Sequence, residues 1–72
     1  MDVIKIGKFI CEKRRCLNMT QSDLANKLHI TDKAVSKWER GLSLPDISIL
    51  IPLSEILNVS LYELLKGEDV NE

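Results

Sequence analysis

One stretch constrains this chain more than any other. From Gln21 to Gly41, QSDLANKLHITDKAVSKWERG, apolar residues recur at helical spacing on either side of a break at His29 and Ile30. Thr20, three residues ahead of Asp23, opens the first half as a capping-box start: the hydroxyl accepts from an early backbone N–H and the carboxylate reaches back. Leu24, Ala25 and Leu28 then line one side. Thr31 is a good N-cap for a second helix running to Arg40, so the connection is only about three residues long. A small Ala25, a short turn and a β-branched Val35 let the two helices cross closely. This is the spacing of a helix-turn-helix.

On the second helix, a rotation of about 100° per residue gathers Asp32, Lys33, Ser36, Lys37 and Arg40 into one arc of about 140°. Ala34, Val35 and Trp38 fall opposite. The helix therefore has a narrow apolar back and an outward face of three cations, a hydroxyl and a carboxylate. Such a face suits base edges and phosphates. Trp38 shares the side of Ala34 and Val35, which places it in the core and not on a base. His29 reads as a turn residue.

The flanking segments read as support. A first helix is predicted over Val3 to Cys16, with Val3, Ile6, Phe9, Ile10 and Leu17 on one side and Lys13 within that stripe, its methylenes covering apolar surface. Asn18 suits a left-handed helix terminus. After Gly41, the segment LSLPD is a loop with Asp46 as the next N-cap. Ile47, Ile49, Leu50, Ile51, Leu53, Ile56 and Leu57 cover most of the circumference of a fourth helix, which predicts a position in the centre of the fold. Its polar stripe is Ser48, Pro52 and Glu55, and Pro52 should bend the helix without breaking it. Ser60 with Glu63 is a second capping box, and a short fifth helix with Leu61, Leu64 and Leu65 on its inner face ends at Gly67. The expected organisation is one all-α domain of five helices over residues 1–67, followed by an acidic, frayed tail over residues 68–72.

Seventy-two residues make a single small domain that buries about 60% of its unfolded surface. There is room for one site and no large cavity. No run of 18 apolar residues and no signal-peptide pattern is present, which points to the cytoplasm and away from a membrane. Cys11 and Cys16 stand five apart on the first helix, about 140° from each other, so they read as two reduced thiols and not as a disulfide. With one histidine and no CxxC, a zinc site is not expected. The net charge of −1 hides a division. Residues 1–41 hold nine Lys and Arg against five Asp and Glu, giving +4, whereas residues 42–72 hold one against six, giving −5. A basic front can attract phosphate whatever the total, because local charge within about a Debye length dominates.

The runs TQSDLANKL, HITDKAVSKWERG, LPDISIL and ILNVSLYELL, in that order, resemble the Cro and CI repressor-like, Xre-type helix-turn-helix family of bacterial and phage regulators. The resemblance covers roughly residues 6 to 66 and implies a compact, five-helix lambda-repressor-like domain. It also implies an ion pair between Arg14 and Glu39 that ties helix 1 to the recognition helix. Residues matching Gln21, Thr31 and Arg40 contact the DNA backbone in the family, which the N–H groups opening a helix already favour at Gln21 and Thr31; capping alone is the other reading of those two. By themselves Lys33 and Lys37 read as a solvated face, but the resemblance implies base or phosphate contact, and they are the best candidates for base readout, with guanine O6 and N7 as acceptors. Asp32 either accepts from cytosine N4 or answers the helix dipole. Ser36 contacts a base, a phosphate or water.

These features predict a sequence-specific, double-stranded DNA-binding transcriptional regulator, a repressor that inserts helix 3 into the major groove of an inverted-repeat operator as a homodimer. Similar domains often open a longer protein, so a further effector domain or protein partner is also implied. The alternative is a protein-interaction module, such as an antitoxin or antirepressor partner, working through helices 4 and 5. Nothing in the sequence pairs an acid with a base, activates a nucleophile, clusters metal ligands or cradles a phosphate on glycines, so neither an enzyme nor a cofactor is expected.

Overall fold

The structure, a computed structural model, describes residues 1–70. Their elements are α1 (Val3–Cys16), α2 (Gln21–Leu28), α3 (Asp32–Glu39), α4 (Ile47–Ile56) and α5 (Leu61–Lys66). Helices of six to ten residues are marginal on their own, so their ends matter. Each start has a side-chain cap. Asp2 accepts from the N–H groups of Ile4 and Lys5, Thr31 from Ala34 and Asp46 from Ser48. Thr20 with Asp23 and Ser60 with Glu63 form complete capping boxes.

Each helix also closes the same way. Asn18, His29, Gly41, Asn58 and Gly67 follow the five helices with φ of 58°, 59°, 73°, 58° and 71°. The next N–H in each case reaches back to a carbonyl five residues earlier: Met19 to Arg14, Ile30 to Ala25, Leu42 to Lys37, Val59 to Ser54 and Glu68 to Glu63. These are Schellman closures, which satisfy carbonyls that a helix end leaves open. His29 is the residue least suited to the conformation, having neither the freedom of Gly nor the short amide of Asn.

Ile6, Phe9 and Ile10 from α1, Leu24, Ala25 and Leu28 from α2, Val35 and Trp38 from α3, Leu53 and Leu57 around α4, and Leu64 from α5 form one core. The first helix packs on α3 and α5, and α2 packs on α3 and α4. Gly7 permits the closest approach. A Cβ there would lie 2.0 Å from the carbonyl oxygen of Trp38, so the absence of a side chain is what seats the end of α3 on α1. Leu17, counted in the inner stripe of helix 1, is largely outside, and the guanidinium of Arg14 is buried instead.

The fourth helix does not occupy the centre of the fold. Within α4 only Leu53 and Ser54 are buried, whereas Ile47 is 82% and Ile51 58% exposed. A domain this small cannot surround a helix on all sides. α4 packs chiefly on α2 and α5, and its outer apolar residues Ile47 and Ile51 meet solvent. The buried Ser54 hydroxyl donates to the Ile51 carbonyl at 2.7 Å, so it is satisfied within the helix.

Of the acidic tail, residues 71–72 lie outside the described residues. Glu68 pairs with Lys5, Asp69 stands 2.7 Å from the ammonium of Lys13, and the Val70 N–H donates to Glu63. The Lys13 ammonium lies 5.3 Å from the centre of the Phe9 ring, with the stem laid along α1. Among the described residues no helix is long and apolar enough to cross a membrane.

Two substitutions test these constraints in opposite directions by urea denaturation. Gly7→Ala should destabilise by at least about 1–3 kcal/mol, because its methyl group has no space against the Trp38 carbonyl. His29→Gly should stabilise by about 0.5–1 kcal/mol, since relief of the left-handed strain exceeds the entropic cost of glycine.

Candidate nucleic-acid interface

The outward face of α3 depends on what holds its back. Val35 and Trp38 are buried, and Glu39 at the end of the same helix turns inward to Arg14. Arg14 Nε donates to Glu39 Oε2 at 2.7 Å and Nη2 donates to Oε1 at 2.9 Å, a two-bond fork. Nη1 donates to the Met19 carbonyl at 2.8 Å, and Nη2 also approaches the Cys11 sulfur at 3.6 Å. The side chains of Arg14 and Glu39 are only 8% and 6% exposed.

Gln21 completes the cluster. Its amide donates to Glu39 Oε1 at 3.0 Å, so the first residue of α2 is tied to the last residue of α3. Burial pushes the Glu39 carboxyl up, but the hydrogen bonds from Arg14 and Gln21 outweigh it and hold the group below the usual carboxylate range. The bond to Glu39 raises Arg14 in turn. One end of each of three helices is fixed by a single charged cluster.

On the same helix, turned away from buried Val35 and Trp38, Asp32, Lys33 and Lys37 are exposed. Arg40 lies over Ser36, its Nε donating to the serine hydroxyl at 3.1 Å and to the serine carbonyl at 3.3 Å. The Thr31 hydroxyl accepts from the Ala34 N–H, so this side chain caps α3 in the free protein. The fold therefore brings Asp32, Lys33, Ser36, Lys37 and Arg40 onto one helix face. Gln21 stands at the brace and Thr31 at the N-terminus of that helix.

The hydrogen bonds explain how a chain of net charge −1 can present a cationic surface. Asp2, Asp23, Asp46 and Glu63 are committed to capping helix starts. Glu39, Glu68 and Asp69 are committed to Arg14, Lys5 and Lys13. Among the described residues seven Lys and Arg side chains have no carboxylate partner, and six of them, Lys8, Arg15, Lys27, Lys33, Lys37 and Arg40, belong to the first forty residues; the seventh is Lys66.

Gly7 and Met19 escape sequence reasoning. An isolated glycine within a helical pattern is the one available signal for Gly7. Met19 contributes only its carbonyl, which no side-chain pattern reveals. Both cysteines are free thiols.

Residues 12–64 match the model of a family described as helix-turn-helix. The chain is 47% identical over 58 residues to the uncharacterized HTH-type transcriptional regulator YqaE of Bacillus subtilis, covering 81% of this chain and 48% of that protein. It is 40% identical over 53 residues to the HTH-type transcriptional activator BcrR of Enterococcus faecalis, covering 74% of this chain and 26% of that one. The chain thus spans a quarter to a half of the length of these relatives. Among solved structures, the P22 c2 repressor in complex with a synthetic operator superposes with a TM-score of 0.83 at 33% identity, over 88% of this chain and 96% of that one.

The brace carries a testable pH dependence. The Glu39 carboxyl is lowered in the folded protein, so its contribution to stability is present above its unfolded pKa of about 4.3 and is lost as pH falls through the lower folded value. Glu39→Gln should be less stable than the wild type at pH 7, by up to about 3–5 kcal/mol if Arg14 is left without a counter-charge. In urea titrations from pH 7 to pH 3 it should also lose less stability than the wild type.

Proposed function

Because the chain belongs to the helix-turn-helix family, in its Xre and Cro/CI type, we propose that it is a sequence-specific regulator of transcription that binds double-stranded DNA through α3. The observation that carries this reading is the pair of exposed lysines, Lys33 and Lys37, on a helix whose back is locked by the Arg14–Glu39–Gln21 cluster. Rigid seating matters because a base-reading side chain must arrive in register, and phosphate contacts set that register.

The backbone N–H groups and side chains at the starts of α2 and α3, at Gln21 and Thr31, meet phosphates on either side of the groove. Arg40 takes a further phosphate at the end of α3. To do so it leaves Ser36, which releases the serine hydroxyl toward the bases. Lys33 and Lys37 then donate to guanine O6 and N7, and Asp32 accepts from a cytosine amino group. No cofactor is involved in such recognition, and the protein acts in the cytoplasm as a DNA-binding factor without catalysis.

The P22 c2 repressor was solved on a synthetic operator, and its fold matches over nearly its whole chain. By that likeness we assign a homodimer on an inverted repeat and repression by occlusion of the promoter. Ile47 and Ile51 on α4 and Tyr62 on α5, each more than half exposed, supply apolar surface for the contact between copies. Residues beyond the matched region in the longer relatives leave room for an effector domain attached to such a unit.

Selection of bound duplexes from a random-sequence pool at near-physiological salt tests the proposal. Enrichment of an inverted repeat with half-sites about one helical turn apart is expected. A folded protein that enriches no motif would overturn autonomous operator recognition. On the selected duplex, Lys37→Ala should cost about 1–3 kcal/mol and relax preference at one base pair. A loss of equal size on every duplex would instead make Lys37 a phosphate contact.

A further inference from the structure

A groove of about 520 Å³ runs along α1 beside the end of α3, lined by Lys8, Cys11, Glu12, Arg15, Cys16 and Glu39. Lys8 and Arg15 are seven residues apart, two turns or about 10 Å along the helix, and fall within about 20° of one another around it. Neither has a carboxylate partner among the described residues, whereas Lys5, Lys13 and Arg14, the other cations of α1, are each neutralised. The groove shares Glu39 with the brace, and Glu39 precedes Arg40, the cation at the end of the proposed reading face.

We infer that this groove is a second phosphate-binding element, in which Lys8 and Arg15 hold the DNA backbone beside the segment read by α3. The inference rests on the DNA-binding reading above. It extends the footprint from the helix-turn-helix onto α1, a helix otherwise used for packing. Two cations on one helix face, separated by two turns, suit a strand of phosphates passing over the groove. Glu12 lies between them, four residues after Lys8 and three before Arg15. It opposes an anionic strand, so its removal tightens binding. The groove gives affinity and register without base preference.

The test uses the full chain and a mixed-sequence duplex of about 30 base pairs, with anisotropy titrations from about 50 to 200 mM salt. Removing one phosphate contact makes the slope of log K against log salt shallower by about 0.9, so Lys8→Gln with Arg15→Gln should make it shallower by about 1.8. Glu12→Gln should move affinity the opposite way, which general destabilisation would not do. Cys16, exposed in the same groove, is a second reporter: saturating duplex should slow its alkylation by iodoacetamide in the wild type. If the wild type shows no salt-dependent binding to duplex at all, the DNA-binding reading fails. If the wild type binds, and the doubly substituted protein melts cooperatively yet keeps the full slope, the groove assignment alone is overturned. An alkylation rate unchanged by bound duplex overturns it as well.

Discussion

The buried guanidinium of Arg14 fixes the relative positions of the first three helices. One planar cation reaches Glu39 on α3 through two parallel bonds, the Met19 carbonyl beyond α1 through a third, and α2 indirectly through Gln21. A lysine could supply the charge but not the fork, because its ammonium has no fixed plane. Removing two ions from water largely cancels their attraction, so the pair adds little net stability over an apolar substitute. Its effect is directional. An eight-residue helix such as α3 has almost no independent stability, and its rotation about its own axis is set by its contacts. Val35 and Trp38 give α3 a side to bury, while Glu39 fixes which rotation buries it.

Charge is distributed by the same economy of groups. Helix starts in this chain take Asp, Ser or Thr, and four carboxylates are held at those starts near backbone N–H groups. Three more face lysine or arginine. These seven anions are thus occupied locally, whereas most cations of the first forty residues project into water. At physiological salt charges act over only about 8 Å, so local arrangement outweighs the sum over the chain. Total charge is therefore a poor guide here to what the surface attracts.

Helix starts and most helix ends are readable in this sequence because capping is local chemistry. Thr20, Thr31, Asp46 and Ser60 are the right residue types one position before an apolar-periodic run, and Gly67 and Asn18 are the right types after one. Asp2 escapes such reading because it lies next to the chain start, where no preceding pattern marks a boundary. The outward face of α3 is readable for the same reason as the caps, since helical angle follows from position alone. Position in the fold is less legible. Seven apolar residues around helix 4 signal burial, yet Ile47 and Ile51 lie outside, because periodicity reports which residues are apolar and not how many neighbours exist to cover them. The Ser36–Arg40 bond and the Met19 carbonyl depend on rotamer and loop path, which leave no pattern in the sequence.

Magnitudes connect the exposed apolar residues to the proposed reading face of α3. α3 is eight residues long, about 12 Å, so as the proposed reading helix it would present only a few side chains to base edges. A well-placed base contact discriminates by about 1–3 kcal/mol, whereas specific sites typically exceed non-specific DNA by about 4–10 kcal/mol. On the proposed reading, Lys33 and Lys37 from one copy would reach only the lower part of that range. Two copies on symmetric half-sites double the number of base contacts, provided something fixes their separation to the helical repeat of DNA. Phosphate contacts cannot fix it, because the backbone repeats at every base pair. A protein–protein contact can, and the apolar residues left uncovered on α4 and α5 offer a surface for one. On this argument, polar substitution of Ile47 and Ile51 would leave the monomer's core intact while lowering selectivity for inverted repeats more than affinity for DNA in general.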